Sequence, residues 1–130
     1  MKLKKAAITL LRQVKRKILS KPKSFDMDIW ARRDSRAECG TVGCIAGWVL
    51  MLSRPGLQES VQDGSYSPFR FSWKEKATRE LRIEDGQAFS LFFEESWPTR
   101  YSSKFSKARS NKQRARVAAN RIEHFIRTGE

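Results

Sequence analysis

Residues 39–52 read Cys-Gly-Thr-Val-Gly-Cys-Ile-Ala-Gly-Trp-Val-Leu-Met-Leu, and from Val42 no charged or strongly polar side chain occurs until Ser53. A helix that is apolar on every side belongs inside a protein or inside a membrane. A bilayer span needs ~20 such residues, and this run is shorter. The stretch therefore predicts a buried central helix against which the rest of the chain packs. Thr41 is its expected N-cap, because a hydroxyl there can accept from a first-turn N–H. Arg54-Pro55-Gly56 should end it, since proline cannot continue a helix. Gly43 and Gly47 lie one turn apart. They invite close approach of a neighbouring backbone, at a propensity cost of roughly 1 kcal/mol each.

A chain of 130 residues suits one domain with one core. Four Trp and eight Phe supply the large apolar side chains such a core needs. The formal charge of +13 is concentrated at the two ends. Residues 1–24 contain no acid, residues 25–99 are nearly balanced, and residues 100–130 contain only Glu123 and Glu130 against nine basic residues. Cationic ends around a balanced middle point to an anionic partner: nucleic acid, a nucleotide, an acidic protein or a membrane surface. A solvated basic exterior with no specific ligand is the plainer alternative. Two cysteines do not make a disulfide framework. The first apolar run is broken by Arg12 and lacks a small-residue cleavage site, so a cytoplasmic location is expected.

Residues 2–19 predict an amphipathic helix, with Leu3, Ala7, Leu10, Leu11, Val14 and Ile18 on one stripe and Lys2, Lys5, Arg12, Lys15 and Arg16 opposite. Pro22 should end it, making 1–24 a basic helix and linker before a core of 25–130. Residues 25–40 read as an extended approach to the central helix, with a helical turn around Trp30 and a basic loop at Arg32, Arg33 and Arg36. An irregular loop is expected at about 54–72. Within it, Phe69 and Phe71 alternate with Arg70 and lead to Trp73. That pattern suits either aromatics pinned to the core or a platform for stacking bases.

Ser72 and Glu75 form a capping box for a helix from about Trp73 to Arg82. A second helix should run from about Glu84 to Glu94 and stop at Trp97-Pro98. Ser110 and Gln113 form another capping box, opening a last helix that runs to about Arg127. Ala115, Ala118, Ala119, Ile122, Phe125 and Ile126 should be its buried face, with Lys112, Arg114, Arg116, Arg121 and Arg127 outward. The expected fold is all-α: a single domain of about five helices.

Cys39 and Cys44 leave four roles open: buried packing residues, a reversible disulfide, two ligands of a metal completed by His124, or a nucleophile. The first turn of a helix can lower a thiol pKa, which would favour a reactive Cys44. Against this, structural zinc wants four ligands and a cysteine nucleophile normally needs a base. His124, the sole histidine, is expected at a helix surface or boundary. Glu94 and Glu95 adjoin an aromatic cluster and read best as a solvated helix end. No phosphate-cradling glycine loop, G-x-S-x-G or H-E-x-x-H occurs, so neither a catalytic residue nor a cofactor is expected.

The run Cys39-Gly40-Thr41-Val42-Gly43-Cys44-Ile45-Ala46-Gly47-Trp48 resembles a C-G-T-x-x-C-x-A-G-W/H motif of small uncharacterised proteins from bacteria, phages and plasmids. Asp26-Met27-Asp28-Ile29-Trp30 is similar to the segment that precedes the motif in that group. Leu81-Arg82-Ile83, Gln87-Ala88, Leu91-Phe92, Trp97-Pro98 and the ending Arg121–Ile126 are similar to its later parts. Gly43 departs from the pattern. The resemblance spans about 25–128 and implies one shared domain in a phage or mobile-element setting, where blocking host defences and binding nucleic acid are common tasks. It brings no catalytic residues with it.

The function expected from these features is non-enzymatic binding of a polyanion, nucleic acid first, through Lys5, Arg12, Lys15, Arg16, Arg114, Arg116 and Arg121. Two alternatives stand beside it. One is an anti-defence inhibitor that docks on a host protein or captures a nucleotide signal. The other is a thiol or metal protein built on Cys39 and Cys44.

Overall fold

A computed structural model describes residues 2–33, 41–54, 56–57 and 73–130 of the chain. Cys39, Arg36, Pro55, Phe69, Phe71 and Ser72 lie outside those residues, as does most of the connection expected at 54–72. The central helix, α2, runs Ile45–Ser53, and every residue from Ile45 to Met51 is buried. Fully burying a Leu, Ile or Val is worth about 1.5–3 kcal/mol, so this one segment supplies a large share of the driving force. Ser53 and Arg54 close it, with Arg54 N–H donating to the Leu50 carbonyl at 2.8 Å.

Its start differs from expectation. Thr41 is not the cap: Thr41–Gly43 is a short strand, β2, paired antiparallel with β1, Ala31–Arg33. Ala31 faces Gly43, Arg32 faces Val42 and Arg33 faces Thr41. The cap is Cys44, whose Sγ accepts from Gly47 N–H at 3.4 Å. The turn lies slightly earlier than expected, Ile29 N–H donating to the Asp26 carbonyl at 3.2 Å, and β1 begins directly after Trp30. The segment before it is tied down by Cys44 N–H donating to the Ile29 carbonyl (2.7 Å) and Asp26 N–H to the Gly43 carbonyl (3.1 Å). This lays the Trp30 carbonyl directly over Gly43 and Gly47, the close approach those two glycines anticipate.

Helix α1, Lys5–Ser20, buries Ala7, Leu11, Val14 and Ile18 of the predicted stripe, with Leu3 and Leu10 partly buried against the same core. A 3-10 turn, Pro22–Ser24, follows it. Ser24 offers its carbonyl to the Trp48 indole N–H at 2.8 Å, fixing the turn to the central helix. Helix α3, Trp73–Leu81, buries Trp73, Ala77, Thr78 and Leu81. Helix α4, Asp85–Phe92, is capped reciprocally by Glu84 and Gln87. After a 3-10 turn at Glu94–Ser96 comes a helix that the sequence reading did not foresee: α5, Thr99–Lys107. The last helix, α6, is Asn111–Thr128, capped by Ser110 and ended at Gly129 in the left-handed conformation (φ 73°).

Helix α6 packs against both α1 and α5, while α2 is flanked by α1, α3 and α4. α1 and α6 run antiparallel: Ser20 and Ser110 line one groove, and further along Lys15 Nζ meets Glu123 Oε1 at 2.9 Å. Ala115, Ala118 and Ala119 let the α1 backbone come close. The result is the expected all-α domain, with the two-stranded ribbon as its only sheet among the described residues. No described helix is long and apolar enough to cross a membrane.

Candidate functional site

The basic residues of α1, α5 and α6 are left outward because each helix has only one apolar stripe to bury. On α1, Lys5, Arg12 and Arg16 are exposed. On α5, Arg100, Lys104 and Lys107 are exposed and recur at helical spacing, Arg100 laying its guanidinium over the Tyr101 ring at 4.9 Å. On α6, Lys112, Arg116 and Arg127 are exposed. Residues 96–122 contain no acid at all. Glu123, the one acid within α6, is engaged by Lys15, and that hydrogen bond holds its carboxyl below the usual range.

Three of the seven expected contact residues are thus not simple surface cations. Lys15 is half-buried in its pair with Glu123. Arg114 is half-buried, donating to the Asn111 Oδ1 at 2.9 Å and the Ala108 carbonyl at 3.4 Å. Arg121 is not outward but fully buried. Its Nη2 donates to the carbonyls of Ser90 (2.7 Å) and Glu130 (2.6 Å), and burial lowers its pKa to about 10. Arg121 is therefore withdrawn as a phosphate contact: helical spacing placed it on the wrong side of a boundary, and it serves as a brace between α4 and the end of the chain.

Sequence reading also missed three lysines that share one groove. Lys21 and Lys23, from the turn after α1, line a groove of about 690 Å³ together with Lys112 at the start of α6. Pro22, Ser110 and Asn111 complete much of its wall. The first-turn N–H groups of α6 have no acceptor within the helix, and Ser110 Oγ satisfies only that of Gln113, at 3.1 Å. The signal was available: Lys21-Pro22-Lys23 and the Ser110 capping box are each legible, but their meeting depends on the antiparallel packing of α1 and α6.

A second cavity, about 290 Å³, adjoins the first and shares Asn111 with it. Phe25 and Phe105 give it aromatic walls, meeting edge to face at 6.3 Å between ring centres. Asp26, Asp28, Glu94 and Arg114 are its charged lining. Glu94 is more than the solvated helix end expected of it: burial, reinforced by Glu95, Asp28 and Asp26, pushes its carboxyl above the ordinary range.

Cys44 is a free, buried thiol. Burial outweighs the lowering influence of nearby N–H groups and pushes it up from 9.0 to about 12, the reverse of the activated thiol a helix start can create. His124 stacks on Tyr101 at 5.4 Å, and burial with the neighbouring arginines lowers its pKa. Among the described residues no three His, Cys, Asp or Glu side chains gather as metal ligands. The thiolate fraction sets the alkylation rate, so at pH 7.5 Cys44 in the native protein should react with iodoacetamide about 1,000-fold more slowly than in denaturant. Peptide mass mapping, which separates Cys44 from Cys39, reads the difference. Comparable rates in the two states would mean that the thiol is not sealed. No protein-family model, curated protein or solved structure matches this chain.

Proposed function

We propose that the protein binds nucleic acid through phosphate contacts, without catalysing a reaction on it. The observation that carries this reading is the groove that Lys21, Lys23 and Lys112 line, with no acid among the described residues of its wall. Lysines at a helix start suit phosphate oxygens: the ammonium groups supply charge and unpaired N–H groups supply directed donors. Exposed Lys5, Arg12 and Arg16 on α1, and Arg100, Lys104, Lys107 and Arg116 on α5 and α6, add cationic surface beyond the groove. Such contacts give affinity without reading sequence.

The test is fluorescence anisotropy with a labelled oligonucleotide across a salt series. For a duplex oligonucleotide, phosphate contacts by the three groove lysines alone would weaken binding roughly 40-fold between 50 and 200 mM salt, a slope on logarithmic axes near −2.7, and each further cation that meets a phosphate would steepen it by about one. The double substitution Lys23→Ala with Lys112→Ala should flatten that slope by about two. Both positions are exposed, so folding should survive. Affinity indifferent to salt, or to the double substitution, would defeat the proposal.

A further inference from the structure

The two adjoining cavities differ in charge, and together they describe a ligand with two unlike ends. The larger is walled by Lys21, Lys23 and Lys112, with no carboxylate among the described residues that line it. The smaller is lined by Asp26, Asp28, Glu94 and Arg114, with the packed pair Phe25 and Phe105 as part of its wall. Asn111 belongs to both. A bare polyanion would satisfy the first and be repelled by the carboxylates of the second. A cationic group would suit only the second.

We propose that the pair forms one site for a guanine nucleotide, its phosphate held by Lys21, Lys23 and Lys112 and its base seated in the pocket between Asp26, Glu94 and Arg114. The assignment rests on the phosphate-binding reading of the basic groove and adds a base to it. Guanine is the base whose edges match this mixed lining. Its N1–H and exocyclic amine are adjacent donors for a carboxylate. Its O6 and N7 are adjacent acceptors of the kind an arginine grips with two parallel N–H groups. Adenine and cytosine present one exocyclic amine beside an acceptor nitrogen, which a carboxylate would repel, and uracil presents one ring N–H between two carbonyls.

The geometry of the lining residues fits the roles. Arg114 is held at the pocket by Asn111 Oδ1 and the Ala108 carbonyl, which occupy two of its five N–H donors. Asp26 is braced by accepting the Asp28 N–H at 2.9 Å, so one carboxylate is already oriented. The Phe25 and Phe105 rings line the pocket as apolar surface for a flat heterocycle. A cavity of about 290 Å³ suits one ring system, and the sugar and phosphate would lie in the neighbouring groove of about 690 Å³.

Calorimetric titration of the intact protein with GMP, AMP, CMP and UMP tests the assignment. GMP should bind about tenfold more tightly than AMP, the discrimination expected of one good two-point base contact. In Glu94→Gln that ratio should shrink to within about threefold, because a carboxamide replaces one acceptor by a donor. Lys23→Ala should weaken all four nucleotides alike and leave the ratio intact. Equal affinity for the four nucleotides, or a guanine preference that survives Glu94→Gln, would overturn the base assignment. Either result could coexist with salt-dependent oligonucleotide binding, which would leave the basic groove standing without the base pocket. Oligonucleotides carrying a 5′-phosphoguanosine or a 5′-phosphoadenosine end separate the sources. A guanine preference among strand ends supports a polynucleotide end as ligand, and a preference confined to mononucleotides supports a free nucleotide.

Discussion

Gly47→Ala is expected to abolish folding, or to cost more than about 4 kcal/mol where the protein can still be purified. A Cβ at Gly47 would lie 1.7 Å from the Trp30 carbonyl oxygen and 2.8 Å from its carbonyl carbon. Carbon–oxygen contacts, even weakly attractive ones, sit at about 3.3–3.6 Å. Relief therefore requires the crossing strand to move by more than an ångström. It cannot do so cheaply: Ile29 accepts from Cys44 N–H, Ala31 pairs with Gly43, and Asp26 donates to Gly43. Lifting residues 25–33 would break those bonds and unseat the buried Phe25 and Ala31. A domain of this kind has a total stability of about 5–15 kcal/mol, so little would remain. Gly86→Ala is the control. Gly86 lies exposed in the first turn of α4, and an added Cβ there meets nothing within 4 Å. Alanine at that site should stabilise the protein by about 0.5–1 kcal/mol, through helix propensity and a less mobile unfolded chain. Denaturant unfolding of the two variants measures both. A Gly47→Ala protein within 1 kcal/mol of the parent would show that the strand does not cross where it is placed.

The same crossing explains what the sequence could and could not convey. The apolar run after Cys44 is legible as a buried helix because its meaning is local: nothing on it can face water. Gly43 and Gly47 announce that something comes close, yet not what. The partner is Trp30, and the pairing of 31–33 with 41–43 is decided by long-range geometry. Thr41 looks like a cap by residue type, but its backbone is claimed by that pairing, and Cys44 caps with a sulfur instead. Helix α5 escaped for a different reason. Its sequence, Thr-Arg-Tyr-Ser-Ser-Lys-Phe-Ser-Lys, is rich in serine and poor in strong helix formers, and Pro98 reads as a stop. In the structure Pro98 is a start: its carbonyl accepts from Tyr101 N–H at 2.8 Å and from Ser102 N–H at 3.1 Å. Tyr101, Phe105 and Ala108, at four- and three-residue spacing, carried the signal. With α5 in place, three more cations join the exposed basic set, so the candidate surface is broader than α1 and α6 alone suggest.

Arg121→Ala is expected to lower stability by about 3–5 kcal/mol and to leave oligonucleotide affinity within about twofold, measured below the unfolding transition. Helix patterning assigns Arg121 to the phosphate-binding set, whereas its surroundings assign it to the interior. The guanidinium donates to two backbone carbonyls, Ser90 on α4 and Glu130 beyond α6, and its carbon lies 5.9 Å from the Tyr101 ring centre and 5.7 Å from that of Phe125. Its Nε has no acceptor, so the charge is costly to bury and is retained only because the remaining donors are well placed. Truncation removes two charge-assisted hydrogen bonds, worth about 1.5–3 kcal/mol each, and opens a cavity beside Phe125. Gln87 would remain as a side-chain tie from α4 to the end of the chain, through Nε2 to the Gly129 carbonyl at 2.9 Å. Arg121→Met separates the two losses. It refills most of the volume and removes the buried charge, so it should recover part of the stability while leaving the two carbonyls without their donor. Arg116→Ala, five residues earlier and exposed, should do the opposite: stability within about 0.5 kcal/mol of the parent, and a salt slope shallower by about one. If Arg121→Ala weakened oligonucleotide binding while unfolding at the parent's midpoint, the side chain would have to face the ligand, and the brace between α4 and α6 would be lost as an explanation.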